Sequence, residues 1–244
     1  LGIFVSLRSG MERLVEALVE AMRQAGAELR SGTTVTGLAR TDDGVDATLD
    51  QATERFDRVL LATPAPATAA LLDEALPSAA AALRTIPHGS SVLVTLAYPS
   101  SAVRRPLVGH GYLIPRTEGG PVSACTWTSE KWPGRAPADA VLLRCFIRDE
   151  PAWTGGPDDQ QLAVARAEAE STLGIETEPL LERITRWDGV MPRYTVGHLD
   201  RVAAIDAAIS AWPALALTGA SYQGIGLPDC IAAARSAAAA AVSP

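Results

Sequence analysis

Apolar residues recur at helical spacing early in the chain. Met11, Leu14, Val15, Leu18, Val19 and Met22 form one stripe, which predicts an amphipathic helix ended by Gly26 at its C′ position. A stripe of that kind is expected to lie on a core. Ahead of it, Phe4 to Leu7 reads as a short strand, with Gly10 as a tight exit. Downstream the period changes. Thr33 to Leu38 is a β-branched strand, Asp42-Asp43-Gly44 turns the chain, and Val45 to Leu49 returns. Arg55 to Ala62 reads as one further strand, ending in Thr63-Pro64. Ala67 to Leu76 and Ser78 to Leu83 are alanine-rich helical pieces broken at Pro77.

From Ser91 to Ile147 the pattern is mostly strands, at Val92 to Tyr98, Gly111 to Ile114, Val122 to Thr128 and Val141 to Ile147, punctuated by prolines. Asp158 to Leu173 is a helix with two acids in its first turn, Leu180 to Trp187 a strand, and His198 to Ser210 a helix. The apolar run Leu215 to Leu217 then leads into a turn carrying Gly219, Gly224 and Gly226, and Pro228-Asp229 opens an alanine-rich helix. Glycines let backbone approach a ligand where a Cβ would collide, and the helix behind them aims unpaired N–H groups over the turn. The same pattern also serves as an ordinary strand-to-helix connection. The spacing Gly224-x-Gly226-x-x-Asp229 lacks the third glycine of the dinucleotide fingerprint, so this is not a pyrophosphate loop.

Composition narrows the classes. A chain of 244 residues holds one large domain or two modest ones. A net charge of −7 without a basic stripe excludes a nucleic-acid surface. Cys125, Cys145 and Cys230 are odd in number and widely spaced, which fits a reducing compartment and neither a disulfide frame nor a zinc site. No apolar run reaches the ~20 residues of a membrane-spanning helix, so a soluble cytoplasmic protein is expected. His88, His110 and His198 stand in no triad or metal-ligand spacing, no catalytic residue and no metal site emerges, and His198 beside Gly197 reads as a helix-cap residue.

Five strings point to a family. Leu217-Thr-Gly-Ala-Ser-Tyr-Gln-Gly-Ile-Gly-Leu-Pro-Asp-Cys-Ile231 resembles the C-terminal flavin motif of protoporphyrinogen/coproporphyrinogen oxidases. Ser9-Gly-Met-Glu-Arg-Leu14, Leu60-Leu-Ala-Thr-Pro64, Trp127 to Pro137 and Arg186 to His198 match further segments in the family's order. The family usually has two glycines where Ser9-Gly10 stands. It also begins with a strand–GxGxxG–helix unit that this chain does not show, so the resemblance implies a C-terminal portion with weak FAD binding of its own.

The fold so implied is mixed α/β and α+β. A partial Rossmann-like FAD-binding domain would occupy 1–86 and 187–244, around a mixed-sheet substrate domain at 87–186. The resemblance implies FAD as cofactor, with Val35 at the adenine, Ile225, Gly226 and Leu227 contributing backbone to the flavin, and Trp187 near the ring. Val35 serves equally as a buried strand valine, and Trp187 as a core tryptophan. Leu113 and Trp127, with Ala97 aligned less securely, would wall a flat macrocycle. Arg104, Arg105, Arg116, Lys131 and Arg135 are the cations available for its carboxylates. The implied activity is oxidation of protoporphyrinogen IX or coproporphyrinogen III to the porphyrin, with O2 as acceptor. A related amine oxidase or desaturase and a flavin-free tetrapyrrole-binding module are the alternatives. Any peripheral membrane contact is expected through a segment outside this chain.

Overall fold

The structure, a computed structural model, describes residues 5–50 and 52–242. In chain order, α1 (Glu12–Gln24) is followed by β1 (Val35–Arg40), β2 (Val45–Leu49), β3 (Ala52–Phe56), β4 (Val59–Leu61), α2 (Ala65–Leu72) and α3 (Pro77–Leu83). Next come β5 (His88–Pro99), β6 (Gly111–Leu113), β7 (Val122–Trp127), α4 (Thr128–Lys131), β8 (Ala140–Ile147), α5 (Pro151–Thr154), α6 (Asp158–Leu173) and β9 (Leu181–Pro192). The chain closes with α7 (His198–Ile209), β10 (Leu215–Leu217) and α8 (Leu227–Val242). Two compact units result. Residues up to Leu29 cluster with Ser90–Asp188, and Arg30–Gly89 cluster with the residues from Gly189 onward. The cuts fall at Ser90 and Asp188 where sequence placed 87 and 186, and α1 goes with the strand-rich unit instead of the flavin part.

In the unit of Arg30–Gly89 and Gly189 onward, β10 pairs in parallel with β4, Leu215 opposite Val59 and Leu217 opposite Leu61. Parallel strands need both faces covered. Ala65, Leu72, Leu83, Ile205 and Trp212 belong to the core that surrounds them, all at most 1% exposed. Pro at the first turns of α2 and α3 costs those helices nothing, because the N–H groups there have no intrahelical acceptor. The single strand expected from Arg55 to Ala62 is in fact two. β3 pairs antiparallel with β2, whereas β4 belongs to the parallel pair. Two polar residues, Asp57 and Arg58, separate them, and the Arg58 guanidinium and the Val59 N–H donate to the carbonyls of Pro213 and Ala214.

The other unit is built on a five-stranded sheet of order β6-β7-β8-β5-β9. Side chains opposite one another on paired strands share a face, and successive ones alternate. The row Tyr112, Cys125, Cys145, Val94 therefore faces one way and the row Leu113, Ala124, Phe146, Leu93 the other. The first face carries Val92, Val94, Leu96, Tyr98, Leu143 and Cys145, each fully buried with Ala165, Ala169 and Leu173 of α6 in one core cluster. The Cys125 and Cys145 sulfurs, distant in sequence, lie 3.6 Å apart there as free thiols. The hydrogen bond between them and the surrounding burial hold the Cys145 thiol far above its ordinary range.

Two expectations near the N-terminus need correction. Phe4 lies outside the described residues, and Val5 to Leu7 form no strand. α1 forms where the stripe predicts it, yet no residue of it is buried; Val15 is 61% and Leu18 52% exposed. Periodicity decides that a segment is helical and which face is apolar. It does not supply a surface to cover that face.

Candidate functional site

The glycine turn between β10 and α8 packs closely against the start of α8. Gly224 sits at φ +145°, and a Cβ there would fall 2.5 Å from the Asp229 side chain. At Gly226 it would fall 2.9 Å from the Asp229 carboxylate oxygen, so Asp229 packs against both glycines from within the helix's first turn. Ile225 and Leu227 project from the same mouth, 56% and 55% exposed. Among the described residues, the N–H groups of Ile225 and Gly226 have no acceptor. The mouth thus offers bare donors between two apolar side chains.

Side chains from other elements hold the turn in place. The Tyr194 hydroxyl donates to the Ala220 carbonyl at 2.7 Å and accepts the Gly224 N–H at 2.8 Å. The Tyr194 ring stacks on His198, centroids 3.8 Å apart. His198 is the first residue of α7, with Gly197 as its N-cap at φ +82°. Its ring does not cap the helix, contrary to the sequence reading. It is buried, and Nε2 lies 2.9 Å from the Tyr222 carbonyl, which as an acceptor requires Nε2 to carry the proton. On the other side, the Ser221 hydroxyl accepts the Ala65 N–H and approaches His88 Nε2 at 3.4 Å. Burial raises the Tyr194 hydroxyl above its ordinary pKa, while the Gly224 N–H bond works against that rise. In the same unit a cavity of about 800 Å³ brings Val35 together with Leu60, Leu61, Ala62 and Thr63. Val35 is 37% exposed, on the cavity wall instead of in the core.

The strand-rich unit carries the second feature. On the sheet face turned away from α6 lies a cavity of about 690 Å³. Its floor is Leu93, Thr95, Ala97 and Leu142, with Trp187 at 53% exposure and three arginines, Arg135, Arg144 and Arg183. A site of this volume with an apolar floor and few polar groups is of the kind that holds a small molecule.

The structure sorts the sequence candidates. Ala97 and Trp187 line the sheet cavity together. Leu113 is 82% exposed and shares that face at its far edge, through the row Ala124, Phe146 and Leu93. Trp127 pairs with Leu143 on the opposite face and is buried, its ring edge-on to Tyr112. Of the cations singled out by sequence, Arg104 is paired with Glu176, Arg116 with Glu150, and Arg105 donates to the Thr172 carbonyl. Arg135 donates to the Leu7 carbonyl and the Ser6 hydroxyl. Sequence reading missed Arg144 and Arg183. Strand alternation carried the signal: Arg144 falls in step with Leu142 and Phe146, out of step with the core residues Leu143 and Cys145.

A parallel strand pair with its helices, joined to a mixed sheet with one helix-covered face, defines an α/β flavin-oxidase-like fold. The chain belongs to the flavin containing amine oxidoreductase family, which it matches over residues 2–242. It is 42% identical over 237 residues to coproporphyrinogen III oxidase of Propionibacterium freudenreichii subsp. freudenreichii, covering 96% of this chain and 44% of that protein. To coproporphyrinogen III oxidase of Bacillus subtilis (strain 168) it is 32% identical, covering 94% and 49%. A crystal structure assigned as a protoporphyrinogen oxidase from Exiguobacterium sp. 255-15 superposes with a TM-score of 0.84 at 31% identity, covering 96% of this chain and 51% of that one. The chain spans about half the length of the curated relatives it matches. The family match across nearly all its residues overturns the reading of the chain as a C-terminal portion defined by a missing dinucleotide unit. No helix among the described residues is long and apolar enough to cross a membrane.

The family is flavin-dependent, and the glycine mouth fits such a group. Bare N–H donors stand at a helix N-terminus between exposed Ile225 and Leu227, on a turn where a Cβ at Gly224 or Gly226 would collide with Asp229. A flat ring with a polar edge and apolar faces matches that donor set.

Proposed function

We propose that the protein is an FAD-dependent oxidase that converts a porphyrinogen to the porphyrin with O2 as final acceptor. The observation that carries this reading is the cavity on the sheet face turned from α6, where an apolar floor, Trp187 and arginines come together. A tetrapyrrole has the matching build, a broad apolar body with carboxylates at its edge. The names of the relatives support the same substrate class. The chemistry FAD supplies when bound is acceptance of hydride from the substrate, whose electrons then pass to O2 as H2O2 forms.

The chain's own residues bind, orient and exclude water. The backbone of Ile225, Gly226 and Leu227 would hold the pyrimidine side of the flavin, where the positive end of α8 favours negative charge. Ile225 and Leu227 keep water from that edge. Val35 would border the adenine within the 800 Å³ cavity. Tyr194 holds the glycine turn through its hydroxyl. Ala97, Leu113 and Trp187 would lie along the macrocycle on the sheet face turned from α6. Trp127, in the core beneath that sheet, stiffens it from the other side.

The test supplies FAD and coproporphyrinogen III to the protein in air. The expected result is growth of porphyrin fluorescence with H2O2 release beyond the spontaneous rate, absent when O2 is removed. No change over the protein-free control, with FAD demonstrably bound, would overturn the reading.

A further inference from the structure

We infer that Arg144 and Arg183 each read one carboxylate arm of the ligand, one on either side of its apolar body. The inference rests on the porphyrinogen reading above and adds residues to it. It starts from what the two side chains lack. Arg144 has no hydrogen bond or ion pair among the described residues, only the Phe146 ring 5.8 Å beneath its guanidinium. Arg183 has no partner among them either. The unit's other arginines are mostly spent: Arg104 on Glu176, Arg166 on Glu170, Glu178 and Glu182, Arg186 on Asp158. In a chain of net charge −7, two unpaired arginines in one cavity are out of keeping with their surroundings.

Their placement gives the ligand's shape. Arg144 stands on β8 and Arg183 on β9, with β5 between them in the sheet. Strands two apart are separated by roughly 10 Å. Between the two cations lie Thr95, Ala97 and Leu93 of β5, which offer no charge. The combination suits a ligand with an apolar body about as wide as one strand and an anionic group on either side. Guanidinium groups bind carboxylates by two parallel N–H···O bonds, so each arginine would recognise one arm by geometry as well as charge.

The experiment titrates the protein, with FAD present, against coproporphyrin III and its uncharged tetramethyl ester, reading porphyrin fluorescence anisotropy. Arg144→Gln and Arg183→Gln are each expected to weaken the tetra-acid roughly three- to tenfold, and the double variant more, since charge-assisted hydrogen bonds contribute on that scale. Ester binding should stay within twofold, roughly, of the unmodified protein in every variant. Arg104→Gln, whose partner is Glu176, should leave both ligands unaffected and serves as the charge control. Both target side chains are exposed, and an unchanged thermal midpoint will show that the variants fold. Equal tetra-acid affinity in the unmodified protein and the double variant would overturn the role of the arginines alone. Failure of the unmodified protein to bind either acid or ester would overturn the porphyrinogen reading with it.

Discussion

The two faces of the five-stranded sheet are made by the same strands, yet they are opposite in what they leave satisfied. On the α6 side the sheet is closed: Leu96, Tyr98, Leu143 and Cys145 are fully buried, and Tyr98 donates to Glu170 of the covering helix. A charge is absorbed just past the end of β8. Arg148, 6% exposed, donates to the carbonyls of Gly120, Ile114, Gly119 and Val122. Four residues earlier in the chain, on the face turned from α6, Arg144 has only an aromatic ring beside it among the described residues. The protein consumes the hydrogen-bonding capacity of Arg148 internally and leaves that of Arg144 available. The face turned from α6 thus carries an apolar floor and, among the described residues, two arginines without a partner.

This contrast can be broken by measurement, beginning with the largest effect. Leu143→Ala, on the closed face, is expected to cost about 2–5 kcal/mol in denaturant unfolding, through lost burial and the cavity left behind. Leu142→Ala, one residue earlier and half-buried, should cost under about 1 kcal/mol. Equal costs would mean that the two faces do not differ as drawn. Arg148→Met is expected to destabilise by about 3 kcal/mol, because several carbonyls lose their donor at once. Arg144→Met should leave the unfolding midpoint unchanged and weaken only tetra-acid binding.

Trp187→Ala should likewise leave folding within ~0.5 kcal/mol of the parent, since its ring is half in solvent, while tetrapyrrole affinity falls about tenfold. A loss of stability with no loss of affinity would return Trp187 to a structural role. Tyr194→Phe tests the cradle of the other unit. It is expected to cost about 1 kcal/mol and to speed hydrogen exchange at the Gly224 amide, while its neighbours in α7 keep their protection. The smallest perturbation is chemical. In the native protein, alkylation is expected at half-buried Cys230 only, with Cys125 and Cys145 labelled after unfolding; early labelling of Cys145 would show the α6 face to be open.

Much of the architecture was readable because it is local. Alternation marked the strands from Val92 to Ile147, and the acids at Asp158 and Asp159 marked the start of α6. The glycines with Pro228 marked the strand–turn–helix at the end. Reading failed where a residue's role depends on what lies across from it. The stripe on α1 predicted its helix and misjudged its burial, because cover comes from other elements. Arg55 to Ala62 reads as one strand until pairing assigns its halves to different sheets. Cys125 and Cys145 look unrelated until β7 and β8 set them opposite each other. Trp127 and Trp187 are indistinguishable as sequence, and only strand register puts one in the core and leaves the other at an open cavity.

By itself the sequence determined the helices and most of the strands, the glycine turn that brings backbone within reach of a ligand, and membership in a flavin-dependent family. Those follow from φ/ψ preferences and side-chain periodicity, which act between near neighbours. The tertiary structure decided which apolar residues are covered, which arginines are left without a partner, and that the Tyr194 hydroxyl holds Gly224. Burial and pairing are properties of surfaces that meet only after folding.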